Sequence, residues 1–586
     1  KGALGVTTPR FNGDEGAVAS AGSLTADVGD LQLNQASTTA QRVTLDADNL
    51  SHRGGELVQK GTDEMHIASR GTLDNEGGTV AANGAISLKA GTLSNRSGNV
   101  TAAGDGSLDA RVTDALDNES GTLAANGDVT LQAGTLNNHG GKAAALGDGS
   151  LRAEVTGAVD NTAGLLTGNN AVALQAGSLD NRSGQTVAAG EGGLIANVGG
   201  ALNNEGGTFA ADGDMNLTAG TLNNRSGKTI AAGDGNLTAR IGGAVDNTQG
   251  TLVAGKDLDV QAGTLSNSGG VFGSNQNAVL RTRELDNAAG SVQAGQALTL
   301  NGSDAALTVN NRAGNLVAGK QLDVTASALS GDGKILSDGD MNLNLAQGFT
   351  NQSQTVANGA LSLVSGGHVD NQGKLLAGKR LTLNAASASN AAGAELGGGE
   401  THLTLNGTLT NRGLIDGSLT HIQAATLDNL GTGRLYGDRI ALQTGTLNNA
   451  AENGVAGTIA ARDRLDIGAG TLNNSGHGLI YSAGAMAIGG GLDAAFNATG
   501  RGGVLTNRGA TIESGGDMRI DMNEIQNLNN NLVTEVVVSE VSSHHEAVLK
   551  GKTERFDWSQ VDTRKKNKYG VHTAKMPDGT SGSEFY

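Results

Sequence analysis

The sequence predicts an all-β chain wound as a parallel β-solenoid, with about 20 residues and three short strands in each coil. Three observations carry that expectation. The motif GTLDN at 71–75 returns as GTLSN, GTLNN, GAVDN and variants, its last residue falling at Asn75, Asn95, Asn118, Asn138, Asn161, Asn181, Asn204, Asn224, Asn247 and Asn267. The spacing of these Asn residues alternates between 20 and 23, so that residues 53–267 form five pairs of 43 residues. Within one unit, EGGTVAANGAISLKAGTLSN at 76–95, apolar residues alternate in runs of four to six bounded by Gly-Gly, Asn-Gly and Ala-Gly. Alternation is the period of a strand, and runs this short do not support a helix.

Taken in order, the runs TVAA, AISLKA and TLSN are the three strands of a coil. Ile86 and Leu88 share one face of the second strand, and Leu93 and Asn95 share one face of the third. Equal coil lengths stack Leu or Val on Leu or Val inside, and each inward Asn on the next, amide bonded to amide in a ladder. One coil buries about four aliphatic side chains at roughly 1.5 to 3 kcal/mol each. Ordering its backbone costs about 1 to 2 kcal/mol per residue, so stability must pass between neighbours. Leucine-rich repeats have similar periods, but their LxxLxLxxN signature is absent. Roughly 22 coils at about 4.8 Å predict a rod on the order of 100 Å long.

The expected organisation is irregular leading coils over 1–52, regular pairs over 53–267, looser coils of near 20 residues over 268–449, irregular terminal coils over 450–530, and a non-repeat segment over 531–586. In the looser part Gly331 takes the place of one Asn, and the interval stretches to 25 at Asn474 and 33 at Asn507.

Composition narrows the function. The 586 residues carry a net charge of −18, which disfavours nucleic acid as a partner. No apolar run is long enough to span a membrane. There is no Cys, so neither disulfides nor thiolate metal sites are available, and no cofactor is expected. The chain starts at Lys1 without a secretion signal and reads as an internal piece of a longer polypeptide. His544 and His545 are adjacent without a third ligand, and GTLNNRSGKT at 220–229 has the wrong glycine spacing for a phosphate loop. The AGDG turns read as solvated turn formers. The triplets beginning at Asn95, Asn181 and Asn224 match the glycan-acceptor pattern by chance in an Asn- and Ser-rich repeat. No catalytic or metal-binding residue is assigned; an enzyme site has room only in the long coils at 450–507, which contain Tyr481 and Phe496.

The iterated GTLNN, Gly pair, AAGD-type turn and DLTLxA-type strand, over roughly residues 40–510, resemble the haemagglutinin repeat of filamentous haemagglutinins and of CdiA-type contact-dependent growth-inhibition exoproteins. That resemblance implies a right-handed parallel β-helix on the surface of a Gram-negative bacterium, exported through a two-partner secretion barrel in the outer membrane. It also implies a receptor on a neighbouring or host cell, with a glycan-binding adhesin as the alternative; a polysaccharide-degrading enzyme is the remote alternative, because polysaccharide lyases also use a β-helix. The last 37 residues carry +3 and five of the twelve aromatics. In ERFDWSQ and the segment after it, Phe556, Trp558, Lys565, Lys566 and Tyr569 are the candidate partner-binding residues, resembling the start of a receptor-binding region.

Overall fold

The computed structural model describes residues 2–302, 306–530, 533–564 and 573–582. It divides into two units, Lys1–Asn529 and Asn530–Tyr586.

In the first unit the coils stack through three parallel ladders, one for each strand. Thr79–Ala82 pairs with Glu56–Gln59 on one side and Asn99–Ala102 on the other. Ile86–Ser94 bends midway, so that Ile86 and Leu88 lie beside Leu108 and Ala110 while Leu93 lies beside Leu116. Residues alternate between the interior and the surface, and the interior is one continuous aliphatic core. Phe209 and Phe272 are its largest fully buried side chains. The scarcity of aromatics follows from the geometry. A coil of three short strands encloses a narrow space, and a ring there must be matched by smaller residues above and below; Phe272 sits between Leu252 and Val292.

The winding makes about 26 turns, more than the roughly 22 expected, because pairing already begins at Leu4 opposite Leu24 and continues to Leu528. Among the described residues no helix is long and apolar enough to cross a membrane.

The recurring Asn residues form a buried column. Asn75 Nδ2 donates to Asn95 Oδ1 at 2.7 Å, Asn95 to Asn118 and Asn118 to Asn138 at the same distance, and the relay continues to Asn311. Each link is worth about 0.5 to 1.5 kcal/mol net, and leaving one unmade in the interior costs more. His52 heads the column, its Nδ1 2.7 Å from Asn75 Oδ1, and burial pushes its pKa down.

The column also explains the turn that follows each Asn. At Asn95-Arg96-Ser97-Gly98, it is Ser97 that adopts a left-handed φ of +52°. Gly98 is required for a different reason. A Cβ there would lie 2.6 Å from Asn95 Oδ1 and 2.9 Å from Asn75 Nδ2, inside the ladder itself, and against the Asn75 carbonyl.

One coil departs from this plan. Gly331 occupies the Asn position with φ +104°, and among the described residues the third ladder has no pairing between Ala328–Ser330 and Phe349–Asn351, whereas the other two ladders run through. Asn311 Nδ2 turns to the Lys334 carbonyl at 3.2 Å, and Asn351 Oδ1 accepts from Thr355 Oγ1 at 3.1 Å. The column then resumes at Asn351 and runs to Asn527.

Candidate functional site

Two places depart from the uniform coil: the second unit, and the flank of the solenoid beneath the longest coil.

In the second unit, residues 533–545 run without strand pairing, and Val533, Val536 and Val541 are each more than 80% exposed. Glu546–Ala547 then pairs antiparallel with Phe556–Asp557, and Asp562–Arg564, Thr573–Lys575 and Ser581–Gly582 form a three-stranded antiparallel sheet. Ala547, Leu549, Ala574 and Met576 make a small core of their own, against which Phe556 and Val561 pack. Asp557 caps the single turn Trp558–Gln560, accepting from Ser559 Oγ at 2.5 Å and from Ser559 N at 2.9 Å, and these bonds, the hydroxyl's first, hold the carboxylate below its usual range. The cap sets Trp558, whose backbone N–H donates to the His545 carbonyl, and leaves the residue 43% exposed.

Of the candidate partner-binding residues, Trp558 is thus on the surface and Phe556 contributes to the core beneath it. Lys565, Lys566 and Tyr569 lie outside the described residues. His544 Nε2 stands 3.6 Å from Glu546, which also meets Arg555 at 3.2 Å. Among the described residues no three His, Asp or Glu side chains gather to hold a metal ion.

The second place was only partly legible in the sequence. Tyr481 and Phe496, the two aromatics of the long coils, do not share a cleft. Tyr481 lies in the first ladder beside Ala460 and Glu513, whereas Phe496 is carried by a hairpin, Gly491–Leu492 with Ala498–Thr499, that folds back over the second ladder. There Phe496 stacks on His421 with ring centroids 4.3 Å apart, and His421 meets His402 of the preceding coil edge-on at 5.7 Å. Arg439 Nη2 donates to the Ala495 carbonyl at 2.8 Å and to Asn497 Oδ1 at 3.1 Å. Asp466, fully buried, accepts from both Arg464 nitrogens and from Ala498 N–H at 2.9 Å. Gln443 Oε1 accepts from Leu492 N–H. Register would have placed His402, His421 and Asp466 in one outward column, but nothing local to them marks the hairpin that covers them.

The glycan-acceptor triplets at Asn95, Asn181 and Asn224 place their amides in the buried column, where each Nδ2 already donates to the next Asn.

The haemagglutinin repeat matches the chain at residues 2–77, 68–119, 101–155, 146–206, 187–241, 230–302, 269–317, 303–373, 369–413, 422–501 and 487–536. A segment of 137 residues is 34% identical to a protein of Dickeya dadantii (strain 3937) described as "Deoxyribonuclease CdiA". The aligned segment is 22% of this chain and 4% of that relative, so the chain spans a small fraction of its length. No solved structure matches.

Proposed function

The chain belongs to the haemagglutinin-repeat family, and on that premise we propose that it serves a secreted, surface-displayed bacterial exoprotein as a shaft projecting a receptor-binding and toxin-delivering region towards a target cell, as in contact-dependent growth inhibition. The observation that carries the reading is the coil itself. About 26 turns of near-uniform coil give distance. A chemically different unit follows, with its own core and an exposed Trp558. The likeness to a protein named as a deoxyribonuclease supports the delivery reading; nuclease chemistry is assigned to no residue of this chain.

Export through a two-partner barrel in a Gram-negative outer membrane fits the absence of Cys, since no disulfide could lock a threading chain. The partners in this reading are that barrel and a receptor on a neighbouring or host cell. The second reading is an adhesin that holds a glycan along its repeats.

The test compares the full chain with its Trp558→Ala variant for binding to bacterial target cells and to a panel of immobilised polysaccharides. Cell binding that drops at least tenfold in the variant, with no polysaccharide retention, supports the receptor reading. Retention on a polysaccharide that is unchanged in the variant transfers the function to the repeats and makes the protein an adhesin.

A further inference from the structure

The hairpin over the second ladder has a design that shaft duty alone does not require. Through Phe496, Arg439, Gln443 and Asp466 it touches the coils of His402, His421, Arg439 and Asp466 at once, binding successive turns across the strand direction. Its tip is strained: Phe496 has φ +62°, an unfavourable conformation for a bulky residue that persists only where surrounding contacts hold it. Asp493 folds the tip by accepting from the backbone N–H of Ala495 and of Asn497.

We propose that residues 489–501 are an acid-sensitive clasp, closed over the His402–His421 pair while both imidazoles are neutral and opened when they are protonated, baring the flank of the solenoid beneath. The geometry sets the sign. Two imidazoles 5.7 Å apart, one under a phenyl ring, cannot both carry charge without repulsion and without losing water from His421.

The surrounding charges offer little relief. Glu400 is 3.4 Å from His402 Nε2 but already takes two bonds from Arg380. Asp466 is held by Arg464 and stands 3.5 Å from Arg439, and Asp493 is engaged within the hairpin. His421, stacked under Phe496, is therefore the imidazole that resists a proton. Burial, followed by the charge of His402, lowers His421 from 6.5 to about 4.

The open clasp thus binds more protons than the closed one chiefly between about pH 4 and pH 6.5. The closed form is fully favoured above pH 6.5 and loses ground as the pH falls through about 4, by up to about 300-fold in the closed-to-open ratio once both forms are protonated.

The chain has no Cys, so a single cysteine carries a unique probe. A spin label at Ala495→Cys in the full chain reports the clasp, and one at Thr238→Cys reports the regular coils. The expected result is immobilisation at Ala495 at pH 7.5, release by pH 4.5, no change at Thr238, and, in a His421→Phe background, immobilisation at both pH values. A label that stays immobile at pH 4.5 overturns the proposal. So does equal release in the His421→Phe background, which would assign the effect to the carboxylates, and so does simultaneous release at Thr238, which would mean that the coils unfold rather than the clasp opening.

Discussion

From Asn75 to Asn311 every column Asn is followed three residues later by Gly; from Asn351 onward the same position holds Gln354, Lys374, Gly393, Leu414, Thr432, Glu452, His477 and Ala510. Strand pairing and the Asn relay have the same form in both stretches, so coil stacking does not depend on a uniform turn. What the column demands is a residue without a side chain wherever the turn brushes the amides. In the second stretch Gly413, Gly433 and Gly457 meet that demand at other spacings, each with a hypothetical Cβ 2.5 to 2.6 Å from a column amide atom. Relaxed turns admit insertions, and both the short strand Val455–Ala456 and the clasp occur in this second stretch. The uniform half supplies length, and the irregular half carries the features that differ from coil to coil.

The comparison breaks most severely at a turn glycine. Gly141→Ala puts a methyl 2.8 Å from Asn138 Oδ1 and 3.0 Å from Asn118 Nδ2. It is expected to destabilise the surrounding coils by about 3 kcal/mol or more. Gly454→Ala meets open space at φ +77° and is expected to lose only about 1 kcal/mol. Denaturant unfolding of the two variants side by side checks the contrast.

A smaller effect is expected in the column itself. Asn161→Leu removes the amide bonds to Asn138 and Asn181, leaving Asn138 Nδ2 only its longer bonds to the Gly141 and Leu165 carbonyls and Asn181 Oδ1 the bond from Thr186 Oγ1, at a cost of about 1 to 3 kcal/mol. Asn507→Leu, near the exposed end, is expected to lose no more than about 1 kcal/mol. Thermal melts of both variants rank them.

The boundary between the two stretches is sharpened by hydrogen exchange. Ala328–Ser330 keeps its pairing with Thr308–Asn310 and Phe349–Asn351 its pairing with His368–Asn371, so the amides of these two strands that face the break are expected to exchange at least tenfold faster than the corresponding amides of Ala244–Asp246 and Thr264–Ser266, which occupy the same ladder with full pairing.

The smallest effect is at His52. Its lowered pKa means that the folded column prefers the neutral ring, so this contribution is present above pH 6.5 and is lost as the pH falls below it. Its buried Nε2 has no hydrogen-bond partner among the described residues. His52→Asn is expected to gain stability relative to the parent at pH 5 and to gain less at pH 8, as read from melting temperatures at the two pH values.

The coil and its register were legible because each unit repeats the same few choices: a Leu or Val every second residue, an Asn at 20 or 23, a turn between. Repetition averages out the ambiguity of any one short strand. The start of the winding at Leu4 was harder to read because Gly13 and Leu33 precede His52 at the column position, so the Asn signal is missing there while the strand pairing is present. The clasp escaped for the opposite reason. His402, His421, Arg439 and Asp466 are up to 64 residues apart, and only coil stacking brings them under one hairpin. Trp558 could be singled out as an aromatic in a basic segment, but its exposure depends on the Asp557 cap and on Phe556 turning inward, which composition does not specify.

If coils are interchangeable units of length, removing a whole pair must preserve register. Deleting residues 118–160 joins Asp117 to Asn161 and removes 43 residues, two coils. The variant is expected to keep its β-sheet signal and melting temperature, and electron micrographs are expected to show the solenoid shortened by two coil spacings, about 10 Å. Deleting residues 118–150, which ends within a coil, is expected to unfold the neighbouring turns. Loss of structure in both deletions alike, or an unchanged length in the 43-residue deletion, would contradict the account.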